Sequence, residues 1–210
     1  MKLSIAMKTL LGAASMALPL MAFAESNVQT GAGALTATAH VDFQVTIPKI
    51  LYFRVGTGSA YTIGALTANP AVDLITFSPT AAQLGNGTAI AGVGGDLLAG
   101  TETAAIVSNS GNVTLSATTT TLTDPAGDVI ANTQISTATA TLTSGTALPV
   151  VPLVNNGTGA SVVITAPPTK VIVQDAKWTY SYLNQTTPPG GTYGGANING
   201  GRVTYTATMP

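Results

Sequence analysis

The chain of 210 residues contains no cysteine, only one histidine and few charged side chains. Seven lysines and arginines stand against eight aspartates and glutamates, which gives a net charge of −1 at pH 7. Because so small a charge creates no field that attracts nucleic acid or an anionic membrane surface, we expect neither as a partner. With no cysteine and only His40, a closed structural zinc site is not expected either.

The sequence also lacks a recognisable set of catalytic residues. His40 lies on the polar side of an alternating segment, which favours a solvated histidine over a member of a catalytic triad. Asp124 and Asp128 share one tight loop, and Asp96 and Glu102 flank another, so either pair could offer oxygen ligands to calcium. Neither pair has the dense spacing of a calcium loop, and turn residues alone explain "TDPAGD". We therefore assign no catalytic residue, no metal and no cofactor, and we expect no enzyme.

Only the first residues form a long apolar run, "TLLGAASMALPLMAFA", which follows Lys2 and Lys8. It ends in the small-x-small pattern Ala22-Phe23-Ala24, which is typical of a secretory cleavage site. Pro19 interrupts the run, which is shorter than the ~20 residues that span a bilayer, so we expect no membrane span. The prediction is a signal peptide over residues 1–24, with export through a periplasm to the cell surface or the medium.

The residues that are abundant favour strands and turns. The chain has 35 threonines with many valines and isoleucines, and 23 glycines and 12 prolines divide them into short segments. Turn signals about every 8–12 residues predict an all-β fold, an immunoglobulin-like antiparallel β-sandwich, with a β-barrel as the alternative. We expect one sandwich domain over residues 47–210, while a boundary near residues 85–102 stays open.

Residues 34–45, "ALTATAHVDFQV", alternate without interruption between apolar and polar side chains. In a strand, one face would carry Leu35, Ala37, Ala39, Val41, Phe43 and Val45. Residues 25–46 are thus expected to be a tail followed by a strand. This strand either pairs within its own sandwich or is donated to a neighbouring subunit, and we narrowly favour donation.

Two later segments also have strand patterns. "KVIVQDAKWTYSYLN" is the longest, and it places Trp178, Tyr180 and Tyr182 on one face. Those rings form either the core, which we favour, or an exposed platform for sugar rings. "RVTYTAT" predicts a last strand with Val203, Tyr205 and Ala207 on its inward face. Hairpins are expected at residues 109–111 and at Asn156-Gly157.

The C-terminal "TYGGANINGGRVTYTATMP" and the alternating N-terminal segment resemble the subunits of chaperone–usher fimbriae, especially the cysteine-free kind. This resemblance implies an immunoglobulin-like sandwich with an N-terminal extension. It also implies self-association into a fibre, a periplasmic chaperone and an outer-membrane assembly partner. The chain departs from the family in its last residues, Met209 and Pro210, where a tyrosine is usual next to the end, and in its lack of a disulfide.

The function expected from these features is that of a structural surface protein. It would be a fimbrial or fibre-forming subunit, or an adhesive sandwich, that assembles by strand addition. The alternative is a secreted glycan-binding module that uses the Trp178, Tyr180 and Tyr182 stripe.

Overall fold

A computed structural model describes residues 26–57 and 66–210 of the chain. The chain divides into two units, one ending at Ile47 and the other beginning at Pro48. The predicted signal peptide, residues 1–24, lies outside the described residues. Residues 26–47 form no strand and no helix, whereas the second unit contains all the described strands.

The described strands are numbered in chain order. They are β1 (Leu51–Val55), β2 (Ile75–Thr76), β3 (Ile90–Ala91), β4 (Val93–Gly94), β5 (Thr101–Ser108), β6 (Val113–Thr119), β7 (Leu122–Thr123), β8 (Val129–Ile130), β9 (Ile135–Ala140), β10 (Gly157–Thr158), β11 (Val162–Ile164), β12 (Ile172–Tyr182) and β13 (Thr204–Thr208).

The first sheet is built around β5 and β12, which pair antiparallel from Ile172 opposite Ser108 to Thr179 opposite Thr101. β1 pairs with the other edge of β5, and β9 with the other edge of β12. The short β3 pairs with the end of β12. Every residue of β5 after Thr101 is buried, as expected of a central strand with small apolar side chains on both faces.

The second sheet is built around β6, whose residues alternate between buried and more exposed positions. β13 pairs antiparallel with one edge of β6, with Ala207 opposite Leu115. β10 and β11 pair with the other edge. Two small ladders, β2 with β4 and β7 with β8, complete the described pairing.

The core lies between the two sheets and combines Ile106 and Trp178 from the first with Leu115 from the second. The indole of Trp178 is fully buried, and its Nε1 donates a hydrogen bond to the Leu148 carbonyl at 2.9 Å. Its ring centroid lies 5.1 Å from that of Tyr205 in β13. Strands account for 32% of the described residues and helix for 2%, and no sheet formed by these residues closes on itself. The predicted all-β sandwich is therefore confirmed, and the barrel is excluded.

Helical structure in residues 26–57 and 66–210 is limited to a 3-10 turn at Asn132–Gln134. Among those residues, no helix has the length and the apolar character that crossing a membrane requires.

Both predicted hairpins are wrong. β5 and β6, on either side of residues 109–111, belong to different sheets. At Asn156-Gly157, residues 141–156 before the turn form no strand, and β10 and β11 after it both pair with β6. Asn and Gly allow the chain to reverse at these points, as the φ of 86° at Gly157 shows, but burial of the apolar side chains selects the sheet that each strand joins.

Candidate functional site

The N-terminal alternating segment is extended and lies outside every β-ladder. All its residues are exposed, including the larger apolar ones: Val41 is 71% exposed, Phe43 87% and Val45 82%. Leu35 is 51% exposed. The strand predicted over residues 34–45 is therefore absent, and its pairing within the sandwich or donation to a neighbour stays a prediction. The apolar residues of this segment, at every second position from Leu35 to Val45, are thus all exposed to solvent.

The second unit has an open groove of about 520 Å³ at one side of the sandwich. Phe53 and Val55 of β1 line one wall, and Val203 and Tyr205 at β13 line the opposite wall. The segment over residues 72–77 and the loop over residues 193–197 border the groove as well. The groove thus lies where the edge of the first sheet faces the edge of the second.

The alternation at the C-terminus explains the β13 wall. Val203, Tyr205, Ala207 and Met209 are half-buried and pack against the core, while the residues between them are exposed. The predicted inward face of the last strand is therefore present. Within the described ranges, β6 is the only strand paired with β13, and β5 is the only strand paired with β1. Both strands that border the groove thus have an edge without a ladder, which is the kind of edge that accepts an added strand.

Tyr205, at the base of the groove, makes a hydrogen bond with Tyr180 and a ring contact with Trp178. The hydroxyls of Tyr180 and Tyr205 are hydrogen-bonded at 3.0 Å. Burial raises the pKa of the Tyr205 hydroxyl to about 12, although the bond with Tyr180 opposes part of that rise. The Tyr205 ring also contacts Trp178. The groove floor at Tyr180 and Tyr205 is therefore an aromatic surface whose two hydroxyls pair with each other.

A cluster of three carboxyl groups lies at one end of the groove. One oxygen each from Asp73, Asp96 and Glu102 lies within 4.8 Å of the other two. Burial raises the pKa of Glu102 to about 8, and the nearby carboxyls of Asp73 and Asp96 add to the rise, while a hydrogen bond from the Asp96 N–H opposes it. Glu102 is 4% exposed. It therefore carries its proton at neutral pH.

Backbone and hydroxyl groups already engage these carboxyls. Asp73 accepts the Thr57 N–H at 2.7 Å. Asp96 accepts the Thr103 N–H at 2.7 Å and also the Thr103 hydroxyl, and Glu102 accepts the Asp96 N–H at 3.2 Å. The cluster ties the end of β1 to segment 72–75 and to the turn before β5. The three carboxyl groups therefore stabilise the packing of these segments at one end of the groove.

The other acidic pair forms a turn. Asp124 accepts the Asp128 N–H at 2.8 Å, and the Gly127 N–H donates to the Asp124 carbonyl at 3.1 Å. The two residues connect β7 and β8. The turn interpretation of "TDPAGD" therefore accounts for both aspartates.

The aromatic stripe of β12 is buried. Trp178 is 0%, Tyr180 7% and Tyr182 5% exposed. An exposed sugar-stacking platform on these three rings is therefore excluded, because their faces pack in the protein interior. Trp178 and Tyr180 belong to the core cluster, while Tyr182 lies beside Phe77 at 6.4 Å between ring centroids.

His40 is exposed in the N-terminal segment. Over residues 26–57 and 66–210, the grouping of Asp73, Asp96 and Glu102 is the one place where three metal-ligating side chains converge, and it does not include His40.

Sequence reasoning missed two parts of the site. One is segment 72–77, whose alternate residues Asp73, Ile75 and Phe77 turn toward the groove. The other is the pair Phe53 and Val55 in β1, which lines the groove together with residues of the C-terminal strand. Alternation was the available signal in both cases, but it does not show which distant segment each face meets.

Comparisons with known proteins add nothing to this geometry: no protein family, no curated protein and no solved structure matches the chain.

Proposed function

We propose that this chain is a structural surface subunit that assembles into a fibre by donating residues 34–45 to the groove of a second copy. The observation that carries the proposal is that the chain has two complementary features, each without a partner in the described structure. One is the exposed apolar face of the N-terminal segment, and the other is the apolar groove between the edges of β1 and β13.

The shape and length of the segment suit the groove. Twelve extended residues reach roughly 40 Å, enough to run along a whole sandwich edge. The segment presents apolar side chains at every second position, and β13 presents its inward residues with the same period. An added strand would bond to the free edge of the ladder and place its apolar face on the groove floor.

The energetics favour occupation of the groove. Side chains that are 71–87% exposed, at Val41, Phe43 and Val45, would leave water on insertion. At ~25 cal/mol per Å² of apolar surface, this burial contributes on the order of several kcal/mol. Because the segment carries few charges, little electrostatic repulsion opposes its insertion.

A second copy is the occupant we propose because the donor is covalently part of every chain. Gly31 and Gly33, which permit many backbone conformations, precede the segment, and Pro48, which has no N–H for a β-ladder, follows it. Each subunit then gives one strand and receives one, an arrangement that continues head to tail without closing.

The proposal extends to export and assembly, as the resemblance to chaperone–usher subunits implies. Residues 1–24 would be removed as a signal peptide, a periplasmic chaperone would cover the groove during transit, and an outer-membrane assembly partner would add subunits at the surface. No catalytic role belongs to this proposal.

The test uses neighbouring residues on opposite faces of the segment. Phe43→Asp places a carboxylate on the apolar face, whereas Gln44→Asp introduces the same group on the polar face. We expect Phe43→Asp to abolish fibres in electron micrographs and Gln44→Asp to leave them intact. Equal assembly of the two variants would contradict the proposal.

A mixing experiment identifies the acceptor. Val203→Asp alters the groove, with Thr206→Asp as its matched control, because Thr206 lies on the exposed face of β13 and outside the groove lining. Val203→Asp and Phe43→Asp should each fail to polymerise alone, yet their mixture should give a one-to-one dimer by light scattering, because one chain keeps its donor and the other keeps its groove. Absence of that dimer, with both variants folded by circular dichroism, would show that the segment does not enter a second copy's groove.

A further inference from the structure

A second cavity, of about 550 Å³, lies between segment 74–79 and the loop over residues 188–195. It adjoins the strand groove and has a size typical of ligand pockets, which span ~300–1,000 Å³. None of the described residues that line it is charged. A carboxylate, phosphate or ammonium ligand would therefore be buried there without a counter-charge, which is unfavourable.

Aromatic and proline side chains form much of the cavity wall. The rings of Phe77 and Tyr182 lie 6.4 Å apart at an angle of 44°. Tyr193, Pro188 and Pro189 form the loop side. Such walls accept the apolar C–H face of a ring-shaped ligand.

Tyr182 contributes a buried polar group, its hydroxyl, to the residues around this cavity. Its side chain is 5% exposed, and its hydroxyl oxygen is buried without a hydrogen-bond partner among the described residues. Buried hydroxyls are nearly always paired. A ligand with a hydrogen-bonding group would supply the partner that this hydroxyl lacks among the described residues.

The loop that closes the cavity is held in place. The Tyr193 hydroxyl donates to the Pro189 carbonyl at 2.8 Å. A Cβ at Gly191 would lie 2.7 Å from a carboxylate oxygen of Asp124, so glycine permits the loop to approach the β7–β8 turn. Thr76, Ser78 and Thr192 add exposed hydroxyls to the lining.

We propose that this cavity binds a neutral, hydroxylated ligand with an apolar face, namely an uncharged sugar residue of a glycan. The C–H groups of a pyranose would pack on the partly exposed rings of Phe77 and Tyr193 and on the two prolines, while its hydroxyls would pair with the Tyr182 hydroxyl and the hydroxyls of the lining. The site differs from the excluded platform, since Trp178 and Tyr180 take no part in it. It also does not depend on strand donation, because binding is measurable whether or not the chain polymerises.

Saturation-transfer NMR on the full chain tests the ligand class. The probes are D-glucose, D-galactose, D-mannose and N-acetyl-D-glucosamine, with D-glucuronate and glucose 6-phosphate as charged counterparts. We expect saturation of at least one neutral sugar and of neither charged one. No transfer to any neutral sugar, or equal transfer to the charged ones, would overturn the proposal.

Tyr182→Phe tests the site, with Tyr52→Phe as the same chemical change on β1, outside the cavity lining. Tyr182→Phe should weaken the sugar roughly fivefold to tenfold, as loss of one hydrogen bond predicts. Without sugar, its thermal stability should be equal to or higher than that of the natural chain, because the change removes a buried hydroxyl that makes no hydrogen bond within the described residues. Equal affinity in Tyr182→Phe and Tyr52→Phe would refute the assignment. So would sugar binding confined to Phe43→Asp, since the cavity would then belong to the strand groove.

Discussion

Two buried carboxyl groups show how the local surroundings decide charge in this protein. Burial raises the pKa of Glu102 to about 8, and neighbouring carboxyls reinforce the rise. Burial also tends to raise the pKa of Asp175, but hydrogen bonds from Thr143 and Ser144 outweigh it and lower that pKa. The Thr143 and Ser144 N–H groups lie 2.9 and 2.8 Å from Asp175 Oδ1. At neutral pH Glu102 is therefore protonated and Asp175 ionised.

The raised pKa of Glu102 predicts how stability depends on pH. The folded state holds this proton more tightly than the unfolded chain, in which the pKa is 4.5. The stabilisation is therefore complete below pH 4.5 and is lost as the pH rises to about 8. Glu102→Gln keeps a neutral side chain at every pH. We therefore expect its melting temperature at pH 9 to exceed that of the natural chain by on the order of a few degrees.

Calorimetry at pH 5, 7 and 9 measures this difference, with Asp42→Asn in the exposed N-terminal segment as the control. The gap between Glu102→Gln and the natural chain should widen with pH, while Asp42→Asn should follow the natural chain. Parallel pH profiles for all three proteins would show that Glu102 is ionised throughout.

At the scale of elements, alternation in the sequence was the most reliable guide. The longest predicted strand corresponds to β12, and its even-numbered aromatic residues are buried as a core face requires. The last strand corresponds to β13, with Tyr205 and Ala207 turned inward. Both segments alternate over enough residues that only one face can be buried.

The groove could not be predicted in the same way. Its walls bring Phe53 and Val55 close to Val203 and Tyr205, about 150 positions later in the sequence. Likewise, Asp73 and Glu102 meet only because β2, β4 and β5 converge. The apolar face of residues 34–45 and the inward face of β13 were both visible in the sequence. The space between the sheets, the carboxyl cluster and the second cavity arise from pairing between distant strands.

The loop before β13 gives a prediction at this scale. Gly200 has a φ of 73°, and a Cβ there would collide with the Thr121 carbonyl oxygen. Gly127 has a φ of 93°, but a Cβ there would meet nothing within 4 Å. Gly127→Ala should cost about 1 kcal/mol of unfolding free energy from backbone strain alone. Gly200→Ala should cost about 3 kcal/mol, because steric overlap adds to that strain.

Urea unfolding of the two glycine variants separates strain from collision. Because both residues lie in loops next to β7, a general effect of substitution there would lower stability equally in both. Equal losses would mean that the loop over residues 194–201 adjusts freely, and that it does not set the shape of the groove wall.

At the scale of the whole molecule, the chain combines a net charge of −1 with a large exposed apolar segment. Such a surface favours association, since little charge repulsion keeps copies apart. Natural proteins usually shield or charge an exposed edge. Here β13 presents a free edge beside an apolar groove within the described part of the chain, which is consistent with an edge that a partner covers.

Donation predicts that two distant parts of the chain gain protection together. In assembled protein, the amides of residues 35–45 and the β13 amides on the edge away from β6 should exchange hydrogen slowly, because each set would be bonded to the other across the subunit boundary. In Phe43→Asp, which should stay unassembled, both sets should exchange quickly, while β5 and β12 stay protected in the core. Exchange measured by mass spectrometry on fibres and on this variant provides the comparison. Slow exchange of residues 35–45 in a dilute, monomeric natural chain would place the segment in its own sheet and rule out donation.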